Sequence, residues 1–181
     1  MKPTKILVGK KTETLSDKNY IAQGGQGTVY VKNNVVFKIY HDVKKLIPEQ
    51  KIIELGVLKN IKNIIIPTTS IFNYKTRERI GFIMRYVKDT EYLCKLFVNN
   101  FKNNNNITQQ MIVDIVKKMQ ETLIAVHNEG VQVGDYNEMN FLTDGKYLKT
   151  YNIDVDSYGT KNYPPTAIMD SVRDRVLPFG T

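Results

Sequence analysis

The sequence predicts an α+β chain, sheet-rich in its first half and helix-rich in its second. Three observations lead there. Two β-branched and aromatic runs, Val29-Tyr30-Val31 and Val35-Val36-Phe37-Lys38-Ile39-Tyr40, flank Asn33-Asn34, a pair that tolerates the positive φ of a tight hairpin turn. Two further strand-like runs, residues 70–74 and 79–87, surround the polar Lys75-Thr76-Arg77-Glu78. Beyond Thr108, apolar residues recur at helical spacing until Gly130.

Taken in order, residues 1–19 are polar and Lys/Thr-rich and read as a loose strand and a connection. The hairpin comes next. Residues 48–61 read as a helix, with Pro48 near its start and Ile52, Ile53, Leu55 and Leu58 as its apolar stripe. After the next two strands, the Asn-rich stretch 99–106 reads as a loop. Thr108 has the chemistry of an N-cap, and Ile112, Ile115, Val116, Met119, Leu123 and Val126 form the stripe of a long helix closed by Gly130. Short strands and a Pro-containing tail complete the chain, with no internal repeat.

The 181 residues suffice for one sizeable core or for two small lobes sharing a cleft. At 41% hydrophobic and 24% charged residues, a wholly disordered chain is excluded. No apolar run reaches the roughly 18 residues of a membrane-spanning helix, and the N-terminus lacks a signal-peptide core. Cys94 is the single cysteine, so neither an internal disulfide nor a cysteine-rich zinc site can form; a reducing, cytoplasmic setting is expected. The net charge of +8 is spread along the chain rather than gathered in a basic run, which disfavours nucleic acid and suits a polyanionic nucleotide. Of the two histidines, His41 and His127, the second is expected to pack or cap near the helix end.

Four segments carry chemistry. Ala22-Gln23-Gly24-Gly25-Gln26-Gly27 lies between two strands, where glycines let backbone N–H groups approach phosphate oxygens; a plain Gly-rich turn is the alternative. Alternation puts Val36, Lys38 and Tyr40 on one strand face, and a lysine in so apolar a strand is costly unless it meets an anion. Glu54, on the next helix, is a candidate ion-pair partner for it. Val133-Gly134-Asp135-Tyr136-Asn137-Glu138-Met139-Asn140 sets an Asp and an Asn five apart in a loop, and Ile153-Asp154-Val155-Asp156-Ser157 adds carboxylates after a short apolar run. Such oxygen ligands suit Mg²⁺ with phosphates, and a carboxylate beside them can orient a hydroxyl proton.

Each segment alone is common in turns. Their order resembles the signature of the protein-kinase-like superfamily over residues 21–165. The resemblance implies a two-lobed kinase fold, with a sheet-rich N-lobe over residues 1–87 and a reduced helical C-lobe over residues 88–181. Gly24, Gly25 and Gly27 would cover the phosphates, Lys38 would pair the α/β-phosphates, and Glu54 would support Lys38. Val29 and Val36 would line the nucleotide site, Met84 would be the gatekeeper, and the backbone of Arg85 and Val87 would hold adenine. Asp135 matches the catalytic aspartate, and Asn140 and Asp154 match the metal ligands.

The implied cofactors are ATP and Mg²⁺, and the implied activity is phosphoryl transfer to a hydroxyl, with Ser/Thr of a protein favoured. A nucleotide-binding pseudokinase acting as an interaction module, and a small-molecule phosphotransferase suggested by Gly134-Asp135, are the alternatives. Several departures stand out. Ala22 replaces the first glycine, Gly134 the arginine that would grip an activation-loop phosphate, Asn137 the usual lysine, and Asp154-Val155-Asp156 the Asp-Phe-Gly run. These forms are similar to divergent microbial or phage kinases. The chain stops soon after Asp154, and Thr166 stands where a glutamate would close the Tyr163-Pro164-Pro165 motif, so a minimal or truncated C-lobe is expected. A partner protein, a second copy or further C-terminal sequence is then expected to cover the long helix.

Overall fold

The computed structural model describes residues 3–165 and 168–170. The chain divides into two compact units, Met1–Ile53 with Pro67–Val87, and Glu54–Ile66 with Lys88–Thr181.

The first unit is one antiparallel sheet of seven strands: β1 (Thr4–Val8), β2 (Lys11–Leu15), β3 (Tyr20–Gln23), β4 (Gly27–Lys32), β5 (Val35–Tyr40), β6 (Pro67–Asn73) and β7 (Arg79–Arg85). They lie in the order β2-β1-β6-β7-β5-β4-β3. The Asn33-Asn34 turn forms as expected, with φ of 51° and 62°, the double left-handed pair whose twist matches flanking strands. Residues 1–19 depart from expectation. They form a second hairpin, β1–β2, turned at Gly9 with φ of 57°. β1 ends in an unbroken apolar run, Ile6-Leu7-Val8, and β2 is polar up to Leu15; each fully buries one large apolar side chain, Ile6 or Leu15, so neither shows a clear alternation in sequence.

Alternation along β5 sends Phe37 to one sheet face and Lys38 and Tyr40 to the other. Phe37 packs with Ile6, Leu15, Tyr30 and Ile71, and Tyr40 packs with Phe82 and Ile52. The sheet curls. Lys32 of β4 pairs with Glu13 of β2 at 2.6 Å, and Asn19 Nδ2 donates to the Val31 carbonyl at 3.2 Å.

α1 (Glu49–Leu55) starts directly after Pro48, and Ser70 Oγ donates to Glu49 Oε1 at 2.8 Å. The helix expected over residues 48–61 is shorter. At Gly56, a weak helix former, it tightens into the 3-10 turn Gly56–Asn60. Ile53 faces solvent at 63% exposure, so the buried stripe is Ile52, Leu55 and Leu58.

In the second unit, β8 (Thr90–Tyr92), β9 (Phe141–Asp144) and β10 (Thr150–Asn152) form an antiparallel sheet in the order β10-β9-β8. The expected loop at 99–106 contains a helix, α2 (Asn99–Asn104). Asparagine disfavours helix, yet Phe101 sets its ring edge-on to Tyr147 at 5.9 Å and packs on the cluster Leu93, Leu96, Ile115, Phe141. α3 (Gln109–Asn128) forms as expected: Thr108 Oγ1 accepts from Met111 N at 3.2 Å, and Gly130 closes it with φ of 73°.

The inner stripe of α3 is Ile115, Thr122 and Val126, covered from within its own unit. Val113, Val116 and Ile124 are the exposed apolar residues of its outer face. His127 is exposed rather than packed. Leu55, Leu58, Ile64, Val126, Val131, Val155 and Tyr158 form the unit's second core. Among the described residues, no helix is long and apolar enough to cross a membrane. Thr166 and residues 171–181 of the expected C-terminal tail lie outside the described residues.

Candidate functional site

In the second unit the chain leaves α3 at Gly130, and two backbone bonds between Gln132 and Gly159, at 2.9 and 2.7 Å, anchor the base of the next loop. That loop carries Asp135. Asn140 Nδ2 donates to the Asp135 backbone oxygen at 2.9 Å and to its Oδ2 at 3.0 Å. Asn137 Nδ2 donates to Asp135 Oδ1 at 2.6 Å. The spacing of five thus closes into a clasp around one carboxylate.

The β9–β10 pairing brings the second acidic segment to the same end of the sheet. Phe141 lies opposite Asn152, and Ile153 N donates to the Asn140 carbonyl at 2.9 Å. Asp154 is the next residue. Its backbone is left-handed, with φ of 59°, and Ser157 holds it there: Ser157 N and Oγ both donate to the Asp154 carbonyl, at 3.1 and 2.8 Å. Aspartate is among the few non-glycine residues that enter this region readily, as asparagine does at the Asn33-Asn34 turn. Asp156 is buried in the adjoining 3-10 turn, Val155–Ser157.

Two tyrosines lie near Asp135. Tyr136 stacks edge-on against Phe141 at 4.8 Å, and burial pushes its phenol up from the ordinary value. Tyr158 is buried in the core, where burial pushes its phenol up further, and its hydroxyl accepts from Asn152 Nδ2 at 3.1 Å.

Among the described residues, no three His, Cys, Asp or Glu side chains gather to hold a metal ion. The two metal ligands expected from the sequence, Asn140 and Asp154, are linked through the Asn140–Ile153 backbone bond. Because the Asn140 nitrogen is committed to Asp135, its Oδ1 is the end left to act as ligand. One carboxylate and one amide oxygen suit Mg²⁺, which keeps waters and takes substrate phosphates, and do not suit an all-protein cage.

Glu54 also lies in this unit. Its Oε2 accepts from Thr160 Oγ1 at 2.6 Å and its Oε1 from Asn162 Nδ2 at 2.7 Å. The Thr160 bond, then the Asn162 bond, hold its carboxyl below the usual carboxylate value. These partners lie more than a hundred positions away and give no signal in the local sequence.

In the first unit, Gly24 N donates to the Gly27 carbonyl at 2.9 Å and closes the Gly-rich turn. A Cβ built on Gly27 would sit 2.5 Å from the Ile39 carbonyl oxygen, so the close approach of β4 and β5 requires glycine. At Gly24 and Gly25 a Cβ would meet nothing within 4 Å, so crowding by the chain does not account for these two glycines. Thr28 Oγ1 and His41 Nε2, which no sequence motif singles out, are hydrogen-bonded at 2.9 Å beside this turn.

Lys38 is 6% exposed, opposite Val29 on one side and Phe82 on the other. Its Nζ lies 5.4 Å from the Tyr40 ring centre and 5.8 Å from that of Phe82, aromatic faces that favour a cation. Gly81, which no motif singles out either, permits this arrangement: its Cβ would lie 2.0 Å from the Lys38 carbonyl oxygen. An isolated glycine inside a strand pattern is the signal that could have found it. Val36 pairs with Met84, which packs on the Tyr40 cluster, and Val35 pairs with Arg85 at the end of β7. Val87 lies just beyond the strand, half-buried.

Sheet, helices and loops together define a protein-kinase-like fold. The chain superimposes on a rhoptry kinase from Toxoplasma gondii, known from its crystal structure, with a TM-score of 0.55 and 13% identity. The match covers 99% of this chain and 59% of that one, so this chain spans well under two thirds of that kinase's length. No family model matches the sequence, and no curated protein matches it significantly.

Proposed function

We propose that the chain is an ATP- and Mg²⁺-dependent phosphotransferase acting on a hydroxyl, with Ser/Thr of a protein favoured as acceptor. The observation that supports this reading most is the clasp of Asn140 on Asp135 together with the Asn140–Ile153 backbone bond, which ties the two acidic segments together. Asp135 orients the acceptor hydroxyl and takes its proton. The acceptor oxygen forms a bond to the γ-phosphorus as the bond to the β-phosphate oxygen breaks, and the nucleoside diphosphate leaves with that electron pair. Asn140 Oδ1 and the Asp154 carboxylate would hold Mg²⁺, which neutralises charge on the phosphates when bound.

Lys38 pairs the α/β-phosphates, and Glu54 is the acidic residue assigned to support it. Gly24, Gly25 and Gly27 bring backbone N–H groups to the phosphates, Val29, Val36 and Met84 flank the base, and the backbone at Arg85 and Val87 holds adenine. The open space at Gly24 and Gly25 supports this reading.

Incubation with γ-labelled ATP and a mixture of Ser/Thr peptides tests it. Asp135→Asn should lower transfer by about 10²–10⁴-fold, the usual contribution of such a group, while ATP binding persists. Equal ATP binding with no transfer by either protein would establish the interaction-module alternative instead.

A further inference from the structure

We propose that Asn137 is a positioning residue that fixes the plane of the Asp135 carboxylate. This deepens the phosphotransfer reading and rests on it. The terminal torsion of an aspartate is broad, so a carboxylate that must meet one hydroxyl needs something to stop its rotation. Here each oxygen has its own amide donor: Asn137 Nδ2 on Oδ1 at 2.6 Å and Asn140 Nδ2 on Oδ2 at 3.0 Å. Two donors on opposite oxygens fix the rotation and leave lone pairs on both for an incoming hydroxyl.

The other half of Asn137 fixes the direction of its own amide. Asn137 caps the 3-10 turn Glu138–Asn140, its Oδ1 accepting from Met139 N at 2.9 Å. The oxygen is thus committed to the cap, and the nitrogen must face Asp135. The two demands select the residue type. Aspartate could cap but not donate. Lysine could donate but not cap. Serine could cap but is too short to reach Asp135 as well. The residue that departs from the usual lysine therefore serves the loop by a different chemistry, aimed at the carboxylate.

Asn137→Ser keeps a good cap and removes the donor, whereas Asn137→Ala removes both. Both variants should lose kcat by the same factor, about tenfold to 100-fold as for a misplacement near 1 Å, at unchanged KM for Mg²⁺-ATP. Only Asn137→Ala should melt at a lower temperature. Wild-type kcat in Asn137→Ser, or a kcat loss that tracks the melting temperature, overturns the proposal. Side-chain amide NMR provides a readout that needs no turnover: Asp135→Ala should displace the Asn137 Nδ2 resonances. If wild-type protein transfers no phosphoryl group, the phosphotransfer reading fails separately. An unmoved resonance then overturns the positioning role, and a displaced one sustains it for a carboxylate that binds rather than reacts.

Discussion

Glu54 holds two hydrogen bonds to side chains far along the chain, and its acid–base behaviour is set by them. The Thr160 bond is the larger cause lowering its pKa, with Asn162 next. A carboxylate with a lowered folded pKa contributes stability that is present above its unfolded pKa of about 4.3 and is lost as pH falls through the folded value. Glu54→Gln should therefore melt below wild type at pH 7, and the gap should close as pH falls and the carboxylate becomes protonated. Thermal melts across that range check it; a gap independent of pH would mean the bonds serve a neutral group equally well. Tyr158 runs the other way. Its phenol is raised by burial, so its contribution is complete below the unfolded value of about 10 and fades on further alkalinisation.

Among the elements, β5 and its neighbours separate glycines by purpose. Gly81→Ala drives a methyl into the Lys38 carbonyl and forces β5 and β7 apart, so it should cost about 3 kcal/mol or more. Gly24→Ala enters open space and should change stability by no more than about 0.5 kcal/mol. Denaturant melts measure both, and under the proposed function Gly24→Ala should weaken Mg²⁺-ATP binding with no comparable loss of stability.

What could be read from the sequence sorts along the same line. The Asn33-Asn34 hairpin and α3 were legible because local chemistry sets them, a left-handed turn pair in one and a Thr cap, apolar stripe and glycine stop in the other. β1–β2 and α2 were not, because what stabilises them is remote: Ile6 beneath Ile71, and Phe101 against Tyr147. In the site, the Asp135–Asn140 spacing was legible, whereas the donor role of Asn137 depends on a loop conformation that no spacing reveals. Glu54 was legible as a residue but its partners were not, since Thr160 and Asn162 meet it only after the unit folds.

For the whole molecule, the proposed function makes nucleotide binding a stability measurement. Mg²⁺-ATP at 100 times its dissociation constant should stabilise the folded chain by about 2.7 kcal/mol. Differential scanning calorimetry of the full chain at increasing Mg²⁺-ATP should show a rising melting temperature, and Lys38→Ala should blunt the rise. A flat response at millimolar nucleotide would set the proposal aside. Lys38 is largely buried, so the unliganded melting temperature of the variant must be recorded as its own baseline.

The curled sheet also imposes a timetable on synthesis. β1 pairs with β6, Ile6 opposite Asn73 and Val8 opposite Ile71, yet more than sixty residues separate the two strands in translation order. Until residue 73 has emerged, β1 has only β2 to pair with in the sheet, although Tyr30 and Phe37 can already pack on Ile6 and Leu15; a two-stranded hairpin is marginal in water. At about 5–20 residues per second the wait lasts several seconds, with one edge of β1 unpaired and Ile71 not yet present to complete the cluster around Ile6 and Leu15. β1 is thus made long before its second edge is secured, and it waits in the β1–β2 hairpin well before the candidate site exists.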